Sequence, residues 1–448
     1  MAKLRKNSFT DKKEVNRLAV PAIIASTSEP IISFIDNAII ANSSNGDSTS
    51  LGAVALGSSF FLSLIWVFSQ TRTAMSTIMA RYFGAKKIND VKSLVPQAIV
   101  MNFLLGVFIY FLTNTFISLI FSMQNATGEL LEETISYFSI RSIGFPIALA
   151  TLMMFGIFRG IQNTLWAMII TLIGAGLNII LDLLFLNGYE GIIEPMGVRG
   201  VALASLISQV VMFLLSFWVL FKKTPFRFKL EFMLHPEVFT LLKMALNLVV
   251  RSIAVNTCYL VSGSVSASYG EDYIAVQGIF MNIWLFSAFF VEGYCIAGNA
   301  LAGKYYGEGN MDKLSVLSKY MLRNSVLLGV YLALFCFATY WFIGQLFLET
   351  DSTLTIFYST FWLVILVMPL NAYAFTYDEL LKGIGSVRYI RNTIILATTT
   401  GFIPTIFLFH YMGFKLHSVW IAFCVWMIFR GTRLMRYFNV TYGQKTAG

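Results

Sequence analysis

Charge is what this 448-residue chain has least of: Asp, Glu, Lys and Arg together make up only 12% of it, about half the usual share of a soluble domain. With 57% of its residues hydrophobic, it lacks the polar surface that a water-soluble fold of this size needs. Cysteine is also sparse. Cys258, Cys295, Cys336 and Cys424 stand singly inside apolar stretches, and no CxxC pair occurs, which argues against a disulfide framework or a zinc site. The three histidines are scattered, so nothing suggests the convergent catalytic set of an integral-membrane enzyme. The Gly clusters such as "GIGS" lack a strand-to-helix context and no Walker pattern is present, which argues against an ATP-driven pump. No metal site and no cofactor are expected.

What the chain does have is long apolar runs from end to end. They read as about twelve membrane spans, beginning near residues 18, 53, 93, 135, 165, 198, 242, 275, 315, 355, 390 and 417. The connecting segments alternate in character. "NSSNGDSTS", "SMQNATGELLEET", "ASYGEDY" and "LETDST" contain no Lys or Arg, whereas "RYFGAKKINDVK", "FKKTPFRFKLEF", "GKYYGEGNMDKLSVLSK" and "KGIGSVRYIRN" are basic. That asymmetry puts both termini in the cytoplasm, with the protein as a multi-pass component of the inner (plasma) membrane. It also accounts for the net charge of +9 without a nucleic-acid partner. The basic N-terminus reads as a cytoplasmic tail, because the segment after it is too long and too acidic for a cleavable signal peptide.

The chain repeats itself. "MARYFGAKKINDVKSL" (79–94) matches "LAGKYYGEGNMDKLSVL" (301–317), with Arg81 opposite Lys304 at an offset of 223 residues. Each copy follows one long apolar run and leads into another. The expected fold is therefore all-α: a polytopic membrane protein of two pseudo-twofold-related six-helix bundles, parallel repeats about an axis along the membrane normal. Residues 1–225 would form the N-terminal lobe and 242–448 the C-terminal lobe. The basic stretch 226–241 would be the cytoplasmic linker, within a connection that carries Pro225 and Pro236.

The few acids inside the spans point to function. An ionised carboxylate at the bilayer centre costs at least ~2.5–3.5 kcal/mol, so it must face a cavity, pair with a cation, or take up a proton. The mid-span acids are Glu29, Asp36, Asp182, Glu292 and Asp378, with Arg72, Arg141 and Arg251 as candidate counter-charges. Glu29 and Asp36 lie seven residues apart, on nearly one helix face, and Pro30 between them invites a kink. Asp36 reads as a proton or cation site, and Glu29 as an accessory at the cavity wall. In "GAGLNIILDLLF" Asn178 and Asp182 fall at i and i+4 on a shared stripe, able to divide a proton, a water or a cation between them. Glu292 in "FFVEGYCIAGN" and Asp378 in "NAYAFTYDELLKG" are the candidates of the second half. Asp378 stands close to a cytoplasmic helix end, where water could reach it.

Nearly the whole chain resembles the multidrug and toxic compound extrusion (MATE) family, and most strongly its DinF-like branch. The likeness is carried by "EPIISFIDNA", "IRSIGFP…FRGIQNT…GLNIILD", "MGVRGVALASLISQ", "VEGYCIAGNALAGKYYGEGN" and "MPLNAYAFTYDELLKG". It implies a twelve-helix transporter that exchanges an inward cation gradient for export of a substrate, with the proton as the usual coupling ion in this branch. On that resemblance the first-helix coupling acid falls on Asp36 and the fifth-helix pair on Asn178 and Asp182. A sixth-helix hydroxyl falls on Ser205, where Thr is usual. Asn37 stands at the Thr of the family's "VDT", and the Asp-Gly of the tenth helix is replaced by Asp378-Glu379.

The reading is therefore a proton-coupled efflux antiporter for organic, often cationic and lipophilic compounds, working as a monomer in the bilayer by alternating access. The alternatives are a sodium-coupled exporter of the same family and a lipid-linked oligosaccharide flippase of a related fold.

Overall fold

The computed structural model describes residues 12–28, 35, 39, 48–188 and 194–443, and every regular element among them is helical. A bilayer imposes this, because no water is available there to satisfy exposed backbone groups and a helix satisfies its own. In chain order the first helices are α1 (12–28), α2 (Ser48–Phe68), α3 (Gln70–Gly84), α4 (Leu94–Thr115), α5 (Ile117–Ser122), α6 (Gly128–Ser142) and α7 (Gly144–Gly160). They are followed by α8 (Leu165–Asn187), α9 (Gly197–Lys223), α10 (Glu237–Ala267), α11 (Glu271–Gly307), α12 (Met311–Phe347) and α13 (Asp351–Ile384). The last are α14 (Val387–Leu396), α15 (Ile403–Tyr411) and α16 (Leu416–Phe438), with a π-helical stretch, Ala397–Phe402, joining α14 to α15.

Among the described residues ten helical runs are long and apolar enough to cross a membrane. The bent pair α6–α7, with an angle of 44° between its halves, makes an eleventh. The bend falls at Ile143, just before Pro146, which has no N–H to donate to the ladder. The remaining expected span is the first: α1 begins it, and its continuation lies outside the described residues.

The chain divides into two compact units. The N-terminal unit comprises Thr27–Met79 and Lys87–Leu242, and the C-terminal unit comprises Met1–Ser26, Ala80–Lys86 and Lys243–Gly448. In the N-terminal unit Phe61 stacks on Phe145 with ring centres 4.4 Å apart, beside an edge-on pair of Phe121 and Phe138. The core of the C-terminal unit is built on Trp284, Trp420, Phe423 and Trp426, all buried.

The two-fold repetition is written into the helix contacts of each unit. Gly106 of α4 lies so close to α7 that a Cβ there would stand 2.4 Å from Pro146 Cα. Gly329 of α12 meets α13 in the same way, 3.0 Å from Pro369 Cα. Gly106 and Gly329 are 223 positions apart, as are Pro146 and Pro369, the offset that separates Arg81 from Lys304.

The repeated basic motifs themselves meet inside the C-terminal unit. A Cβ on Gly84 would come 2.0 Å from the Lys304 carbonyl oxygen, and one on Gly307 would come 2.1 Å from the Arg81 carbonyl oxygen. Each glycine belongs to one copy of the repeat and each carbonyl to the other. The copies cross at their glycines because only a missing side chain lets the backbones approach this closely. Arg81 then reaches the end of α13, where its Nη2 donates to the Ile384 carbonyl at 2.5 Å. There the chain turns through Gly385 at φ +82°, and the Arg81 guanidinium also lies 5.0 Å over the Tyr306 ring.

Candidate functional site

Among the described residues, three groupings set a buried or half-buried acid against polar or cationic partners. The first is on α8, an otherwise apolar helix of the N-terminal unit. The 3.6-residue repeat sets Asn178 one turn before Asp182, and the Asn178 amide donates to Asp182 Oδ2. Asp182 is 1% exposed and Asn178 8%. Helix α9 packs along α8, brought close by Gly200, whose Cβ would stand 2.9 Å from Phe185, and by Gly174 against Met212. Ser205 and Ser208 are buried on α9. The pairing expected from the i, i+4 spacing is thus formed. The other expected members of this site, Glu29, Asp36 and Asn37, lie outside the described residues.

Of the candidate counter-charges in this unit, Arg141 places its guanidinium 3.7 Å over the Phe61 ring, a cation–π contact. Arg72 packs its backbone carbonyl 2.5 Å from where a Gly156 Cβ would be. Its Nε is buried without an acceptor among the described residues.

The second grouping centres on Asp378 in α13. Arg251 of α10 is ion-paired with Asp378 Oδ2. Lys382, one turn further along α13, stands 3.1 Å from the same oxygen and 2.5 Å from Glu379 Oε1. Arg430 of α16 approaches to 3.5 Å and lies over the rings of Trp426 (4.9 Å) and Phe375 (5.2 Å). Asn299 of α11 donates to the Glu379 carbonyl at 3.3 Å.

Asp378 is only 2% exposed. The expectation that water reaches it at a helix end is therefore corrected: three cations from three helices converge on it and take the place of solvent. Glu292, the other second-half candidate, is half-buried on α11. In the cluster itself Asp378 and Glu379 face Arg251, Lys382 and Arg430. Sequence reasoning missed Lys382 and Arg430. The i+4 spacing of Lys382 from Asp378 was a usable signal. So was a lone Arg in the apolar run "WMIFRG".

The third grouping stands where the repeat motifs cross. Lys304 Nζ is ion-paired with Glu14 Oε1, and the Tyr305 hydroxyl donates to Glu14 Oε2 at 2.9 Å. Partial burial alone would raise the Glu14 carboxyl. The Lys304 ammonium, the Tyr305 hydroxyl and the charge of Arg17 outweigh it and hold the group below its ordinary value of 4.5.

The chain as a whole is similar to proteins already known. The sequence pattern of the MatE family matches residues 21–184 and 248–427. DNA damage-inducible protein F of Escherichia coli (strain K12) is 25% identical over 431 residues, covering 94% of this chain and 91% of that protein. Protein DETOXIFICATION 42 of Arabidopsis thaliana is 27% identical over 295 residues, 66% of this chain but only 55% of that protein's length. Among solved structures, a MATE crystal structure in the bent conformation superposes with a TM-score of 0.89 at 24% identity, over 98% of this chain and 97% of that one. At that identity the likeness speaks for the fold.

Proposed function

Because this chain belongs to the MatE family, whose members are membrane transporters rather than enzymes, we propose that it exports organic compounds in exchange for protons. Its cargo would be lipophilic and often cationic. The protein would work as a monomer by alternating access in the inner (plasma) membrane, with its basic loops and both termini in the cytoplasm.

The observation that carries the reading is the buried Asn178–Asp182 pair on α8. A carboxyl buried in a membrane helix is costly to ionise, so proton uptake competes with solvation there. An amide neighbour serves both protonation states. Its N–H₂ donates to the carboxylate, and after a half-turn its carbonyl accepts from the neutral carboxyl. Asp182 therefore supports a site able to load and release a proton without losing a hydrogen bond. Asp378 is a poorer carrier, because a proton there would have to displace three cations already in place.

In the proposed cycle Asp36 and Asp182 take up protons from the outer side, and the polar cavity they line loses negative charge. Cationic cargo is released. Deprotonation toward the cytoplasm restores the charge and with it the affinity for new cargo. The coupling is the difference in affinity of the two arrangements for proton and substrate. Glu29, Asn37 and Ser205 would extend the polar lining.

The test is transport of a fluorescent organic cation into or out of proteoliposomes under separately imposed pH and sodium gradients. Wild type should be driven by the pH gradient alone, and Asp36→Asn and Asp182→Asn should lose that drive by at least tenfold. Full-rate transport driven by sodium alone would transfer the reading to a sodium exporter. Unchanged proton dependence in both variants would remove these acids from the mechanism.

A further inference from the structure

The segment that joins α9 to α10, residues 224–236, is not helical, and its shape is fixed by contacts that the transport cycle does not use. Gln97 of α4 clamps it. Its Nε2 donates to the carbonyls of Glu231 (3.2 Å) and Met233 (2.8 Å), and its Oε1 accepts from the His235 N–H (2.9 Å). The Glu237 N–H donates to His235 Nδ1 at 3.1 Å. The imidazole therefore carries its proton on Nε2, which points it at the Asp90 carbonyl 2.8 Å away. Phe226 is fully buried, and Phe228 packs on Phe217 and Phe221 with centres 5.5 and 5.6 Å apart.

Those anchors leave the tip with nowhere to hide. Leu230, Phe232, Met233 and Leu234 are 51%, 108%, 86% and 60% exposed. A loop held this firmly does not expose four large apolar side chains by accident of flexibility. Around them stand the exposed cations Lys222, Lys223, Arg227 and Lys229, against the exposed acid Glu231. Both ends of the segment adjoin helices long and apolar enough to cross the membrane, so the segment begins and ends at the membrane boundary.

We infer that this segment is an interfacial anchor that inserts Phe232, Met233 and Leu234 among the lipids of the adjoining leaflet and binds anionic headgroups through Arg227, Lys229 and the α9-terminal lysines. An apolar wedge beside a cluster of cations is the pattern that seats a polypeptide in an anionic interface. Because Gln97 and His235 already hold the backbone, binding orders little that is not ordered beforehand. The occupant is a lipid surface rather than a soluble protein, because the cations stand in the chain between the end of a membrane-long helix, α9, and the apolar tip, where anionic headgroups and acyl chains would meet them in that order.

The four native cysteines are buried, so a single introduced thiol takes a fluorescent label selectively. The full-length Phe232→Cys protein, labelled with bimane, is reconstituted in vesicles of phosphatidylcholine alone or mixed with phosphatidylglycerol. In the mixed vesicles the inference predicts quenching by acyl-chain spin labels several-fold stronger than in phosphatidylcholine alone, and weak quenching by aqueous iodide. Changing all four exposed cations, Lys222→Gln/Lys223→Gln/Arg227→Gln/Lys229→Gln, should abolish that preference for the anionic lipid while leaving the folded protein intact. The same label on Asn89→Cys, an exposed position, is the water-facing reference. Iodide quenching at position 232 equal to that reference in both lipids would overturn the inference in favour of a water-facing surface open to a soluble partner. Equal spin-label quenching in both lipids would overturn the headgroup recognition.

Discussion

Asp378 and Asp182 are both buried carboxyls in membrane helices, yet their surroundings differ: three cations stand around the first and one amide beside the second. Asp378 is held by Arg251, Lys382 and Arg430. Deleting its charge takes from Arg251 and Arg430 the carboxylate they are paired with, while Lys382 keeps Glu379; breaking a buried pair in this way typically costs about 3–5 kcal/mol. Asp378→Asn is therefore expected to lower the unfolding temperature of the detergent-purified protein markedly. Asp182→Asn replaces a carboxyl by an amide of the same size that can still pair with Asn178, and should change stability by no more than about 1 kcal/mol. Thermal unfolding of the two variants side by side checks this, and the expected pattern is stability lost in the first and kept in the second. The i, i+4 pair of α8 was legible in the sequence, because both partners lie on one helix. The Asp378 cluster was not. Arg251 and Arg430 sit 127 residues before and 52 residues after Asp378, and only the packing of α10, α13 and α16 brings them together. Sequence periodicity also places helix ends too loosely to tell a solvated Asp378 from a buried one.

At the scale of elements, the crossing of α3 and α11 depends on two hydrogen atoms where side chains would otherwise be. A Cβ at Gly84 or Gly307 would meet a carbonyl oxygen at 2.0 or 2.1 Å, so Gly84→Val and Gly307→Val should force the repeat motifs apart. The expected result is faster amide hydrogen exchange in the last two turns of α11. Gly278→Ala, with no atom near its Cβ position, should leave exchange there unchanged. The Glu14–Lys304 contact adds a pH dependence to the same crossing. Because the folded carboxyl lies below its ordinary value of 4.5, its contribution is complete above that pH and is lost as pH falls below it. Exchange in this region should thus rise on acidification below about pH 4.5, and Lys304→Ala should flatten that rise. The repeat offset of 223 was readable from one pair of motifs. That the two copies touch each other was not, since alignment reveals correspondence and not contact.

For the whole molecule, hydropathy was enough to specify an all-helical membrane protein, and one pair of matching motifs to specify a repeated half. These properties follow from the cost of burying charge and backbone in lipid, and a sequence cannot conceal them. The coupling ion is a finer matter, decided by the affinity of a few side chains for H⁺ or Na⁺. The central claim is that proton and cargo compete for the acids of the N-terminal half. It is tested most directly by adding a transported organic cation to purified protein in weakly buffered detergent solution and recording the pH. The account predicts that wild type releases protons in proportion to the cation bound, with release reduced in Asp182→Asn and in Asp36→Asn and absent when both are changed. Binding of the cation to wild type with no proton released, in sodium-free solution, would contradict it.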